Sequence, residues 1–134
     1  MSDSHKAPHV DMLRSPLGRA RGLGSARAGS HHWWAQRLTA IALVPLTLWF
    51  IYAALGMIGS SRADVADWLS SPLTMTLMLA LVIGTFHHLQ LGLQIVIEDY
   101  VHKEATRLTA VLAMKAACIL LALACIISVL RLGL

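Results

Sequence analysis

Apolar residues along the chain gather into three long blocks, Leu38 to Ile58, Leu73 to Ile97 and Leu108 to Leu132, separated by short polar intervals. Each block reaches or exceeds the ~20 residues that a helix needs to cross the hydrocarbon of a bilayer. The pattern predicts an all-α integral membrane protein with three transmembrane helices, at about 33–58, 71–98 and 106–132. The interval Gly59 to Pro72, with Asp64, Asp67 and Trp68, reads as a short interfacial connector. Residues 31–134 form the anchor, and residues 1–30 stand apart from it. That first segment, with Pro8, Pro16 and repeated Gly, Ser, Ala and Arg, has nothing to bury and is expected to be a flexible basic tail. It contains no apolar run that could serve as a signal-peptide core, so it is expected to stay on the mature protein.

Composition closes off the soluble classes: 57% of the residues are apolar and 13% charged, which does not suit a soluble single domain. Charge then sets an orientation. Lys6, Arg14, Arg19, Arg21 and Arg27 precede the first span, and Lys103 and Arg107 lie between the second and third. Arg62 and Arg131 lie on the opposite side. The positive-inside rule places the N-terminus in the cytoplasm, or a matrix, and the C-terminus outside. The net charge of +4 is accounted for by orientation and anionic lipid, with no need for nucleic acid.

The chemistry sits in the second span, in the run Gly84-Thr-Phe-His-His-Leu-Gln-Leu-Gly92. Imidazole is costly in hydrocarbon. Counting ~1.5 Å per residue, His88 is ~22 Å from Leu73 and ~14 Å from Ile97, near the middle of the membrane and slightly toward the cytoplasm. Gly84, His88 and Gly92 recur every four residues on one face, where a flat cofactor such as haem could lie, whereas His87 points about 100° away. Two readings stand for His88: a neutral histidine hydrogen-bonded to another helix, or an axial ligand of a haem. No second His, Cys or carboxylate follows at i+3 or i+4 to complete a small metal cage, which favours haem over zinc. There is no CxxCH for covalent attachment. No other histidine is predicted at the same depth, so a second axial ligand is expected from another subunit.

The remaining polar residues frame that span. His31, His32, Trp33 and Trp34 suit the headgroup boundary, and Arg37, one turn deeper, either snorkels back to it or pairs with an anionic group of a cofactor. Pro45 is expected to kink the first span. Asp99 and Tyr100 close the second span at the depth of His31 and Arg37; they read either as an aromatic belt with a solvated charge, or as groups that donate to a carbonyl and relay protons. Glu98, His102, Lys103 and Glu104 read as ordinary loop charge. In the third span Cys118 and Cys125 lie ~10 Å apart along the axis, too far for a mutual disulfide, and read as small packing residues. Lys115 either snorkels or faces a cofactor or another helix.

Taken together, His31, Arg37-Leu-Thr-Ala40, His88, Gly92 and Asp99-Tyr100 resemble the small membrane-anchor (cytochrome b small) subunit family of succinate dehydrogenase, complex II, over most of the chain after Gly29. The resemblance implies that His88 ligates the iron of a haem b shared with a large cytochrome b anchor subunit. It also implies that His31 and Arg37 lie near the haem propionates, with Gly84 and Gly92 on the haem face. Tyr100 would hydrogen-bond a ubiquinone carbonyl, working with a tryptophan of the iron–sulfur subunit, and Asp99 would organise that pocket. The implied complex adds a flavoprotein and an iron–sulfur subunit to the two anchors, with a trimer of such heterotetramers as a further possibility. It would sit in a bacterial inner membrane and pass electrons from succinate, in the tricarboxylic acid cycle, to the respiratory chain. The chain is not an enzyme alone: it has neither a dinucleotide fold nor enough cysteines for a cluster. Two alternatives share the helices: a fumarate reductase anchor, and a non-redox membrane assembly protein that would have no need of His88.

Overall fold

A computed structural model describes Leu17 and residues 27–134, with side chains from Ser30 onward. The expected flexible tail, residues 1–30, lies almost wholly outside the described residues. Four helices follow one another: α1 (Arg27–Gly56), α2 (Arg62–Ser70), α3 (Pro72–Tyr100) and α4 (Glu104–Gly133). No strand occurs among the described residues. Helices α1, α3 and α4 are long and apolar enough to cross a membrane.

Local chemistry explains where the helices stop and start. α1 runs through Pro45, whose missing N–H leaves the Ile41 carbonyl without its helical donor. It ends in a turn in which Gly59 takes φ +84°, a left-handed conformation that a Cβ would disfavour. The interval expected to be a connector folds into α2 instead. The cause is a capping box: Asp64 N–H donates to Ser61 Oγ at 3.3 Å, and Ser61 N–H donates to Asp64 Oδ2 at 2.8 Å. The Ser61 hydroxyl donates to the same carboxylate oxygen at 2.8 Å. These two bonds from Ser61, the hydroxyl's first and the backbone's second, hold the Asp64 carboxyl below its ordinary 3.8. Pro72 then opens α3, where its missing donor and fixed φ do no harm.

The three spans form a row with α3 in the middle. α3 packs against α1 on one side and α4 on the other, while the backbones of α1 and α4 do not approach each other. α2 closes one end. Its Trp68 stacks on Trp49 of α1 at 5.8 Å, and its Leu69 is buried beside the end of α4, where a Cβ on Gly133 would stand 3.0 Å from the Leu69 carbonyl oxygen. Among the described residues only Leu69, Leu91 and Cys118 are buried. A row of three helices leaves most apolar side chains facing outward, as suits helices surrounded by lipid.

Candidate functional site

The contact between α1 and α3 is built one residue per turn. A Cβ placed on Gly84 would meet Leu43 Cδ2 at 3.2 Å, and one on Gly92 would meet Gln36 Nε2 at 3.5 Å. Between these two points Thr39 Oγ1 stands 2.9 Å from His88 Nδ1. The pairs 43–84, 39–88 and 36–92 run in opposite directions, so the helices are antiparallel. The start of α1 and the end of α3 therefore lie at the same end of the molecule. His88 sits two residues beyond the middle of α3, about as far from either end as a side chain on this helix can be.

This arrangement changes the role of the glycines. The face bearing Gly84, His88 and Gly92 is not bare, since Leu43, Thr39 and Gln36 of α1 lie over it. Gly84 lets the two helices approach, in the way small residues do at contacts between membrane helices. A flat cofactor laid on that face would have to take the place of α1. His88 lies at the α1–α3 contact and is half-buried. The hydrogen bond to a neighbouring helix uses only Nδ1, which leaves Nε2 as the nitrogen free to ligate. The two readings of His88 are thus compatible, because one ring serves both. His87 is exposed and turned away.

His32 and Gln36 stand beside this contact. His32, Gln36 and Thr39 are spaced four and three apart and form one polar strip along α1. His32 Nε2 and Gln36 Oε1 are buried and have no hydrogen-bond partner among the described residues. A buried polar atom left unpaired is uncommon and calls for an explanation in a ligand, ion, water or partner. The signal available in the sequence was the polar 3–4 spacing in an otherwise apolar helix, and it was overshadowed by the neighbouring Trp33 and Trp34.

The other candidates lie toward the end shared by α1 and α3. Arg37 is exposed, and its guanidinium lies 4.5 Å from the Trp33 ring centroid, a cation–π contact that holds the charge beside an interfacial aromatic. His31 is exposed. Asp99 and Tyr100 are exposed too, Tyr100 at 79%, and lie roughly 16–18 Å along α3 from His88 by helical rise. They are not part of the His88 cluster. Glu98 and Glu104, expected to be ordinary loop charge, line a cavity of about 290 Å³ with Gln94 and Arg107 between the end of α3 and the start of α4, and Gln94 Nε2 donates to Glu98 Oε1 at 2.7 Å. Cys118 is buried and Cys125 half-buried, both as free thiols, and Lys115 is half-buried. No group of three or more His, Cys, Asp or Glu side chains stands together among the described residues.

Comparison with known proteins adds a second line of argument. A family model described as succinate dehydrogenase/fumarate reductase transmembrane subunit matches residues 12–125. A succinate dehydrogenase hydrophobic membrane anchor subunit of Rickettsia bellii (strain RML369-C) is 39% identical over 118 residues, covering 87% of this chain and 94% of the relative. The subunit of the same name from Rickettsia conorii (strain ATCC VR-613 / Malish 7) is 31% identical, covering 87% and 93%. That of Paracoccus denitrificans is 33% identical, covering 64% and 67%. No solved structure matches the chain.

Proposed function

Because the chain belongs to the succinate dehydrogenase/fumarate reductase transmembrane-subunit family, we propose that it is the hydrophobic anchor of a succinate:quinone oxidoreductase, that it holds one side of a haem b and that it forms one wall of a ubiquinone site. Three bilayer-length helices supply the anchor. The observation that carries the haem reading is His88. It stands near the middle of a membrane-spanning helix with one nitrogen held by Thr39, the other unengaged, and two buried unpaired polar atoms on the neighbouring strip of α1. Polar groups at that depth are expensive unless they are used.

The donor set suits haem. One imidazole with a free Nε2 offers a single axial bond, and the second ligand comes from the large cytochrome anchor subunit. His31 and Arg37, at the end of α1 shared with Tyr100, are positioned by charge and donor chemistry for propionates. Gly84 contributes by setting how closely α1 approaches His88, while at Gly92 a Cβ would meet only ordinary contact with the end of Gln36, in place of the open cradle expected from their spacing. A haem bound here supplies a one-electron store near the quinone.

Asp99 and Tyr100 provide the quinone wall. The Tyr100 hydroxyl donates a hydrogen bond to a quinone carbonyl, and the Asp99 carboxylate orients a basic or hydroxylic neighbour in the pocket. Their exposure in the isolated chain supports a pocket completed by other subunits. Succinate is oxidised on a flavoprotein and its electrons cross an iron–sulfur subunit, both docked at the cytoplasmic side of a bacterial inner membrane. The sampled relatives are all named for succinate dehydrogenase, which favours this direction over fumarate reduction.

The test is a reduced-minus-oxidised optical spectrum of the complex purified through this chain. The wild type and His87→Ala are expected to show the b-type bands, and His88→Ala to lose or shift them. A wild-type complex without haem, or an unchanged spectrum in His88→Ala, overturns the ligand assignment.

A further inference from the structure

We infer that Thr39 fixes the tautomer of His88 and so decides which imidazole nitrogen is offered to the iron; the inference rests on the proposal that His88 is a haem ligand. A hydroxyl has one proton to give and two lone pairs with which to accept. Thr39 Oγ1 stands 2.8 Å from the Ala35 carbonyl oxygen and 3.0 Å from that of Gln36. Neither carbonyl can donate. With the proton directed between them, both contacts are attractive; with it turned toward the histidine, three oxygens would face one another through lone pairs. The proton therefore belongs to the carbonyls, and Oγ1 accepts across the 2.9 Å gap from His88 Nδ1. His88 consequently carries its hydrogen on Nδ1 and its lone pair on Nε2.

Two consequences follow for a metal ligand. The tautomer needed for bonding through Nε2 is set before any metal arrives, so binding costs no rearrangement of the ring proton. A histidine that donates its other N–H is also a more basic ligand and is held in one ring orientation. The anchor is rigid for local reasons: Thr39 is bonded back to its own helix, and Leu43 on Gly84 sets the separation of α1 and α3 one turn away. Thr39 is thus a positioning residue, which acts on iron only through His88.

The test uses the intact complex carrying Thr39→Val, Thr39→Ala, Thr39→Ser or His88→Ala. The readouts are the haem-to-polypeptide ratio after detergent washing and the midpoint potential of the haem. Loss of the hydroxyl in Thr39→Val is expected to weaken haem retention by about tenfold or more, the usual scale for removing such a supporting hydrogen bond. It is also expected to move the potential to more positive values, because a less basic imidazole stabilises ferric iron less. Thr39→Ala is expected to behave alike with less bulk, and Thr39→Ser to keep wild-type values. Wild-type retention and potential in either hydroxyl-free variant, with haem lost in His88→Ala, overturns the role of Thr39 and leaves the ligand assignment standing. An unchanged haem in His88→Ala overturns both.

Discussion

Tyr100 illustrates how much a single terminal hydroxyl can decide. It closes α3 at 79% exposure, so its replacement by Phe leaves the packing of this chain untouched. One neutral hydrogen bond contributes about 0.5–1.5 kcal/mol net, which corresponds to roughly a 2–13-fold loss in kcat/KM for quinone when the bond forms in the transition state. Tyr100→Phe is therefore expected to lower quinone reduction by that factor with the haem bands unchanged, measured with a soluble quinone in the assembled complex. At Gly84 the effect is structural: Gly84→Leu drives a side chain into Leu43, separates α1 from α3 and costs roughly 1–3 kcal/mol, seen as a lower thermal midpoint in detergent. His88 was legible in the sequence because an imidazole stood in a bilayer-length apolar run. What lay over it was not, since spacing along α3 cannot report that Thr39, Gln36 and Leu43 of another helix cover the same face.

The short helix α2 shows where reading the elements from sequence fell short. The long spans were legible because ~20 apolar residues leave few alternatives in a membrane protein. α2 has nine residues and a polar sequence, and only the Ser61 to Asp64 spacing of its capping box marks its start. That box titrates. A carboxyl whose folded pKa lies below its ordinary value binds fewer protons when folded, so its contribution to stability is present above about pH 3.8 and is lost as the pH falls through the lower folded value. The Asp64 carboxyl carbon is expected to titrate by NMR with a midpoint below 3.8, and Ser61→Ala, which removes the hydroxyl bond, to move that midpoint upward. The same substitution loses a cap that is worth about 1 kcal/mol in helices generally.

At the scale of the molecule, the row α1–α3–α4 is an unfinished bundle. With three buried residues among those described, it has too little interior to specify itself without lipid and partners. The structure also groups the charges by end. Arg62 and Arg131 line one cavity where α2 meets the end of α4, while Arg107 lines another beside Glu98 and Glu104 at the opposite end. The end carrying Lys103 and Arg107 is also the end at which α1 starts, because α1 and α3 run antiparallel. An excess of cations at one end generally fixes orientation at insertion, so that end, with Asp99 and Tyr100, is expected to face the cytoplasm. In a background of Cys118→Ala and Cys125→Ala, Ser60→Cys in the turn before α2 is expected to react with a membrane-impermeant maleimide in intact cells, and Lys103→Cys only after permeabilisation. The reverse pattern would put the quinone wall on the side away from any cytoplasmic iron–sulfur subunit, and the proposed electron path from succinate would then have no entry into this chain.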